Sequence, residues 1–156
     1  MMSGTGELGE IIDDIDRHMA DAGSIDRAAG PLGVYLAWCA NLDLVSDALK
    51  QHFAGEVVRL RMRDLKPAEF LIKATAGTLR GEHLNEAGLE FTKRYYSGYI
   101  DDYAAALNVE VSSVYDVEDS WENYDRVAPE LTRQLYQRGR KRAKHWWQRI
   151  GGRHHG

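Results

Sequence analysis

The sequence predicts an all-α fold, a compact bundle of five to seven helices. Three observations carry this reading. Apolar residues recur every three or four positions over most of the chain, which is the spacing of a helix face. The three prolines and most of the internal glycines fall where one periodic run gives way to the next. The one stretch with alternating β-branched residues, Val109 to Val117, has no second strand to pair with, so it is read as a loop.

Each element follows from its residues. Residues 7–22 read as a short amphipathic helix, with Leu8, Ile11, Ile12, Ile15 and Met19 on one stripe and Gly23-Ser24 as its stop. Gly30-Pro31 marks the next start, since proline suits a first turn. From there Leu32, Leu36, Cys39, Leu42, Val45, Leu49 and Phe53 form a buried face, with a break expected near Asn41-Leu42-Asp43 and an end at Ala54-Gly55. Val57 to Leu65 fits neither helical nor alternating periodicity cleanly. Pro67 opens a short helix to Ala76, and Gly77 stops it. Glu82 to Leu107 is the longest periodic run, with Leu84, Phe91, Tyr95, Tyr99, Tyr103 and Leu107 on one stripe. Its internal Gly88 and Gly98 allow either a close helix contact or a kink. Asp119 or Ser120 caps a helix starting at Trp121, and Pro129 ends that turn and begins a last helix to about Trp147.

The 156 residues make one ordinary domain, assigned to residues 1–137, followed by a basic extension, 138–156. Hydrophobic residues are 44% and charged residues 28%, a soluble, globular balance. A single cysteine, Cys39, excludes an intrachain disulfide and a zinc site built on several cysteines. No apolar run is long enough for a membrane span, and the amino terminus lacks the pattern of a secretory signal. A cytoplasmic setting is therefore expected. Charge is divided unevenly. Residues 1–132 hold all 24 acids and 12 bases; residues 133–156 hold 8 bases and no acid. The chain reads as an acidic body with a basic tail.

Candidate chemistry comes in three groups. Glu82, Glu86 and Glu90 are spaced as one helical face, and Asp13, Asp14 and Asp16 form a second acidic run. Both read as solvated surface, and the four scattered histidines His18, His52, His83 and His145 as no designed metal site. No cofactor motif and no nucleophile motif occurs, and Cys39 reads as a small buried hydrophobe. The densest acid cluster is Asp116, Glu118, Asp119, Glu122 and Asp125, around Trp121 and Tyr124. It suits either a patch that steers a basic partner or a helix start whose acids complement the dipole. The tail from Arg138 mixes cations with Trp146-Trp147. It suits nucleic acid, an anionic membrane or the chain's own acidic body, and the acidic body ranks a protein partner above nucleic acid.

Two tryptophan motifs resemble a known family. Gly33-Val34-Tyr35-Leu36-Ala37-Trp38 and Val117-Glu118-Asp119-Ser120-Trp121-Glu122-Asn123-Tyr124-Asp125-Arg126 are similar to the signatures of a family of small bacterial proteins, over roughly residues 25–136. That family is associated with immunity proteins, which protect bacteria from delivered toxins. Where the family often has a histidine and an aliphatic residue before the first motif's glycine, this chain has Pro31-Leu32, so no role can rest on that histidine. The resemblance implies a non-enzymatic protein that binds a cognate toxin and occludes its active site, without cofactor, metal or nucleic acid. The expected binding face is Asp116, Glu118, Asp119, Glu122 and Asp125 with Asp101 and Asp102. The rival readings are a carboxylate enzyme using Glu82, Glu86, Asp101 and Asp102, and an adaptor acting through the tail.

Overall fold

A computed structural model describes residues 9–151, with side chains through Gln137. Strand β1 (Ile11–Asp14) is followed by a 3-10 turn (Ile15–His18) and the short helix α1 (Met19–Ala22). This replaces the single helix expected over 7–22. The isoleucines fit a helical stripe, but an isolated helix of this length is marginal in water. Pairing with a distant segment wins instead: β1 runs antiparallel to β2 (Thr78–Arg80), and the Ile15 N–H donates to the Gly77 carbonyl at 2.9 Å. The expected stop holds, with Gly23 in the left-handed region at φ 83°.

Helix α2 (Ile25–Asn41) begins at Ser24, whose Oγ accepts from the Arg27 N–H, five residues before the expected start at Gly30-Pro31. Pro31 lies inside it and withholds one backbone bond; its carbonyl accepts from the Tyr99 hydroxyl at 2.6 Å. Every residue from Ala28 through Ala40 is buried, so α2 is the central helix, covered on all sides. The expected break follows at Asp43, with φ 62°.

Helix α3 (Asp47–His52) bends at Phe53 into α4 (Ala54–Arg61). Ala54-Gly55 therefore opens a helix where the sequence predicted an end. In a first turn the N–H groups lack helical partners anyway, and burial of Val57 and Leu60 holds the rest. This resolves the ambiguous Val57–Leu65 stretch as mostly helical. Helix α5 (Pro67–Thr75) packs across α2 at Gly33, where a Cβ would stand 2.8 Å from the Ala68 Cα. Only glycine permits that approach.

The long periodic run is two helices, α6 (Glu86–Tyr95) and α7 (Tyr99–Leu107), separated by a 3-10 turn (Tyr96–Gly98). Gly88 serves contact, since a Cβ there would lie 2.2 Å from the Leu44 carbonyl oxygen. Gly98 sits at the kink. A 3-10 turn (Val111–Asp116) fills the expected loop. Helix α8 (Trp121–Gly151) starts as predicted, with Ser120 Oγ accepting from the Asn123 N–H at 3.1 Å. It does not stop at Pro129. The proline removes one hydrogen bond, and burial of Tyr124, Val127 and Leu131 keeps the helix on the body. The side chains of the basic extension, 138–156, lie outside the described residues.

The architecture is all-α as expected, with six helices of eight residues or more among the described residues and one small two-stranded sheet. Its core is aromatic. Tyr35 meets Trp38, Tyr96 and Tyr99 at ring distances of 5.9, 4.9 and 5.0 Å, and Phe91 stacks on Tyr95 at 5.0 Å. Its polar tips are bonded inside: Trp38 Nε1 donates to Thr132 Oγ1 at 3.0 Å, and the Tyr35 and Thr92 hydroxyls share a bond of 2.8 Å.

Candidate functional site

The acids of the second tryptophan motif gather where the amino ends of α2, α5 and α8 meet. Asp119 leaves its own helix and accepts from the Ala68 N–H in the first turn of α5, at 3.3 Å. It is half-buried. Burial raises its carboxyl above the ordinary range, the Ala68 bond and Lys66 oppose that, and Glu69 and Asp26 add to it. Asp26 of α2, Glu69 of α5 and Asp119 are thus electrostatic neighbours. Asp116 pairs with Arg27 of α2 at 3.4 Å, and Asp125 takes a two-pronged bond from Arg63 at 2.7 and 2.9 Å. The Arg63 bond holds Asp125 below its usual range. The same guanidinium lies 4.7 Å from the Trp121 ring, and Trp121 meets Tyr124 edge-on at 4.8 Å.

Three of the five clustered acids, Asp116, Asp119 and Asp125, therefore have partners within the chain. Glu118 and Glu122 are exposed beside them, as are Asp26 and Glu69. Ile25, the first residue of α2 and next to Asp26, is 57% exposed. Asp101 and Asp102 are elsewhere. Asp102 accepts from the Tyr95 hydroxyl at 2.8 Å and acts on Arg133, in the third to fourth turn of α8. Glu122 lies about 15 Å nearer the start of that helix by its rise per residue. Asp102 is thus engaged with Tyr95 and Arg133, and its neighbour Tyr103 feels the Asp119 charge.

The carboxylates of the enzyme reading are also dispersed. Glu82 lies in the 3-10 turn Gly81–His83, off the helix that carries Glu86 and Glu90, so the expected shared face does not form. A helix there would have to cross the bridge between Val45 and Leu84, which holds that stretch extended. Cys39 is fully buried, and burial pushes its thiol well above its ordinary range. Among the described residues no group of three His, Cys, Asp or Glu is placed to hold a metal ion, and no helix is long and apolar enough to cross a membrane.

The densest polar constellation is one the sequence reading passed over as surface. Asp13 is buried, at 6% exposure. Its carboxylate accepts from the Tyr96 hydroxyl at 2.5 Å, from its neighbour's N–H at 2.9 Å, and from His18 Nε2 at 2.8 Å. His18 Nδ1 bonds the Tyr115 hydroxyl. Burial alone would raise the Asp13 carboxyl; the bonds from His18 and Tyr96 and the His18 charge outweigh it, and the group sits below its ordinary range. The bond to Asp13 raises His18 in turn, against a smaller opposing effect of burial. A carboxylate that orients an imidazole, which in turn meets a hydroxyl, can pass a proton. Here Asp13 and His18 join β1 and the following turn to the turns at Tyr96 and Tyr115. The one signal in the sequence was the five-residue spacing of Asp13 and His18, which no helical or strand period singles out.

Two further histidines, His52 and His83, border a groove of about 270 Å3 with Ser46, Leu49, Phe53 and Ala74. His83 Nδ1 accepts from the Arg80 N–H at 2.9 Å, which leaves its proton on Nε2, and burial lowers its pKa.

A family model described as a domain of unknown function, DUF7832, matches residues 11–117. The chain belongs to this family. The DUF7832 match takes in the first tryptophan motif and reaches back to β1, with Asp13 and His18, beyond the stretch expected from the motifs. It stops at Val117, so most of the second motif lies past it. Neither a curated protein nor a solved structure matches the chain.

Proposed function

We propose that this DUF7832 protein is a non-enzymatic immunity protein that binds and occludes a cognate toxin in the cytoplasm. The supporting observation is the corner where α2, α5 and α8 begin. There Asp26 and Glu69 come within electrostatic reach of Asp119, exposed Glu118 and Glu122 flank it in the chain, and the exposed Ile25 adjoins Asp26. An acidic surface with an exposed apolar residue suits a protein with a basic cleft, and long-range charge would speed the encounter. This centres the binding face on Glu118 and Glu122; Asp116 and Asp125 are exposed as well but are paired with Arg27 and Arg63. Asp116, Asp119 and Asp125 serve as supports that hold the corner together.

Co-expression with the product of the neighbouring gene tests the reading, scored by growth and by co-purification. Protection and co-purification are expected for the wild type. The double reversal Glu118→Lys with Glu122→Lys, both at exposed positions, should weaken both, and salt should do the same. A wild type that gives no protection and captures no partner overturns the immunity function. A folded double mutant that protects fully overturns this face.

A further inference from the structure

The amino-terminal segment is held to the body by a small number of identifiable bonds. β1 is the partner of β2, with Ile11 opposite Arg80 and Asp14 opposite Thr78. Ile15 seats its side chain where a Cβ on Gly77 would stand only 2.9 Å from Ile15 Cδ1. Ile12, Met19 and Ala22 pack against the core, and the polar attachment runs through Asp13 and His18. Asp13 reaches the Tyr96 turn at 2.5 Å, and His18 reaches Tyr115. We propose that residues 11–22 form a strap, clasped shut by the charged His18 on the Asp13 carboxylate and loosened when His18 gives up its proton.

The charges around the clasp agree. On the strap itself, Asp13 and Asp14 favour the imidazolium and Arg17 opposes it. Asp21 of α1 and Asp13 act on Tyr115. The turn at Tyr96 and helix α2 present phenols, Tyr96 with Tyr35 behind it at 4.9 Å. Asp116, next to Tyr115, is paired with Arg27. Tyr115 is the adaptable member: its oxygen accepts from the imidazolium, and its hydroxyl donates to the neutral ring. Deprotonation thus keeps the hydrogen bonds and removes the charge attraction to Asp13. Release would leave β2 as an uncovered strand edge.

The direction of the effect follows by linkage. The folded state holds the His18 proton more tightly than the unfolded chain, so the clasp is fully set below His18's ordinary value of 6.5 and is lost as pH rises through the raised one. Amide hydrogen exchange of the full chain, corrected for its intrinsic pH dependence, reads this at residues 13–22 and at Leu79. Opening should increase between about pH 6 and pH 9, about tenfold for each unit by which His18 is raised, and then level off. His18→Gln should be flat over that range. A wild-type strap whose opening does not rise with pH overturns the proposal, and so does a His18→Gln protein that keeps the rise. If His18→Gln does not fold, the ring resonances of wild-type His18 decide. Titration above 6.5, in step with strap exchange, supports the clasp; titration at or below 6.5 overturns it.

Discussion

Two acidic runs of this chain look alike as sequence and differ in every physical respect. Asp13-Asp14, with Asp16 close by, lies near the amino end; Asp116 to Asp125 surrounds the second tryptophan motif. In the first, one carboxylate is buried, accepts bonds from a histidine, a phenol and a backbone N–H, and is pushed below its ordinary range. In the second, the most buried carboxylate faces a helix start, has other acids as neighbours and is pushed up. Acid density alone therefore says little about depth or purpose. What faces each carboxylate from a distant segment decides both.

The largest expected effect is at Asp13. Asp13→Ala leaves His18 and the Tyr96 hydroxyl without their acceptor in a half-buried site and should cost about 3–5 kcal/mol in denaturant unfolding. A cost below about 1 kcal/mol would show that the network adds little to the fold. A sharper version uses the same substitution at both sites. Asp13→Asn should destabilise by about 2–3 kcal/mol at neutral pH, because it removes the charge that His18 and Tyr96 address. Asp119→Asn should lie between neutral and about 1 kcal/mol stabilising, because it relieves a half-buried charge and keeps an oxygen for the Ala68 N–H. Losses of equal size at both would erase the contrast.

Acid titration separates the two carboxylates next. The lowered Asp13 contributes stability that is present above its ordinary value of 3.8 and is lost as pH falls through its folded value. The raised Asp119 works the other way, favouring the fold as it takes up a proton above 3.8. Unfolding measured from about pH 6 downward should therefore be steeper for Asp119→Asn than for Asp13→Asn. The reverse order would contradict the assigned directions. The smallest effect belongs to the exposed pair: Glu118→Lys with Glu122→Lys should shift stability by about 0.5 kcal/mol or less, measured by thermal melting. A large loss would show that these acids also support the fold.

The tryptophans of the two motifs show how far the sequence could be read. Trp38 sits on a strong helical stripe and is fully buried, with its indole N–H bonded to Thr132. Trp121 opens α8, as the cap signal at Asp119 or Ser120 predicts, but it is only partly buried. Its indole N–H has no acceptor among the described residues, and Arg63 covers its ring. Nothing in the local sequence announces that arginine, which arrives from 58 positions earlier. The expected binding face divides for the same reason. Arg27, Arg63 and Ala68 each engage one of its acids, and Asp102, on α7, engages Tyr95 and acts on Arg133 instead.

Local sequence suffices for the helical class, for a cap at Asp119 or Ser120, for the stops at Gly23 and Gly77 and for the break after Asn41. Each depends on periodicity or on the backbone preference of one residue, and such preferences act within a turn of chain. Only the tertiary structure decided that Ile11–Asp14 is a strand, that Pro31 and Pro129 lie inside helices, and that Asp13 meets His18, Tyr96 and Tyr115. Those outcomes are set by burial and by partners up to about a hundred residues away, whose free energy exceeds the fraction of a kcal/mol per residue by which local propensities differ.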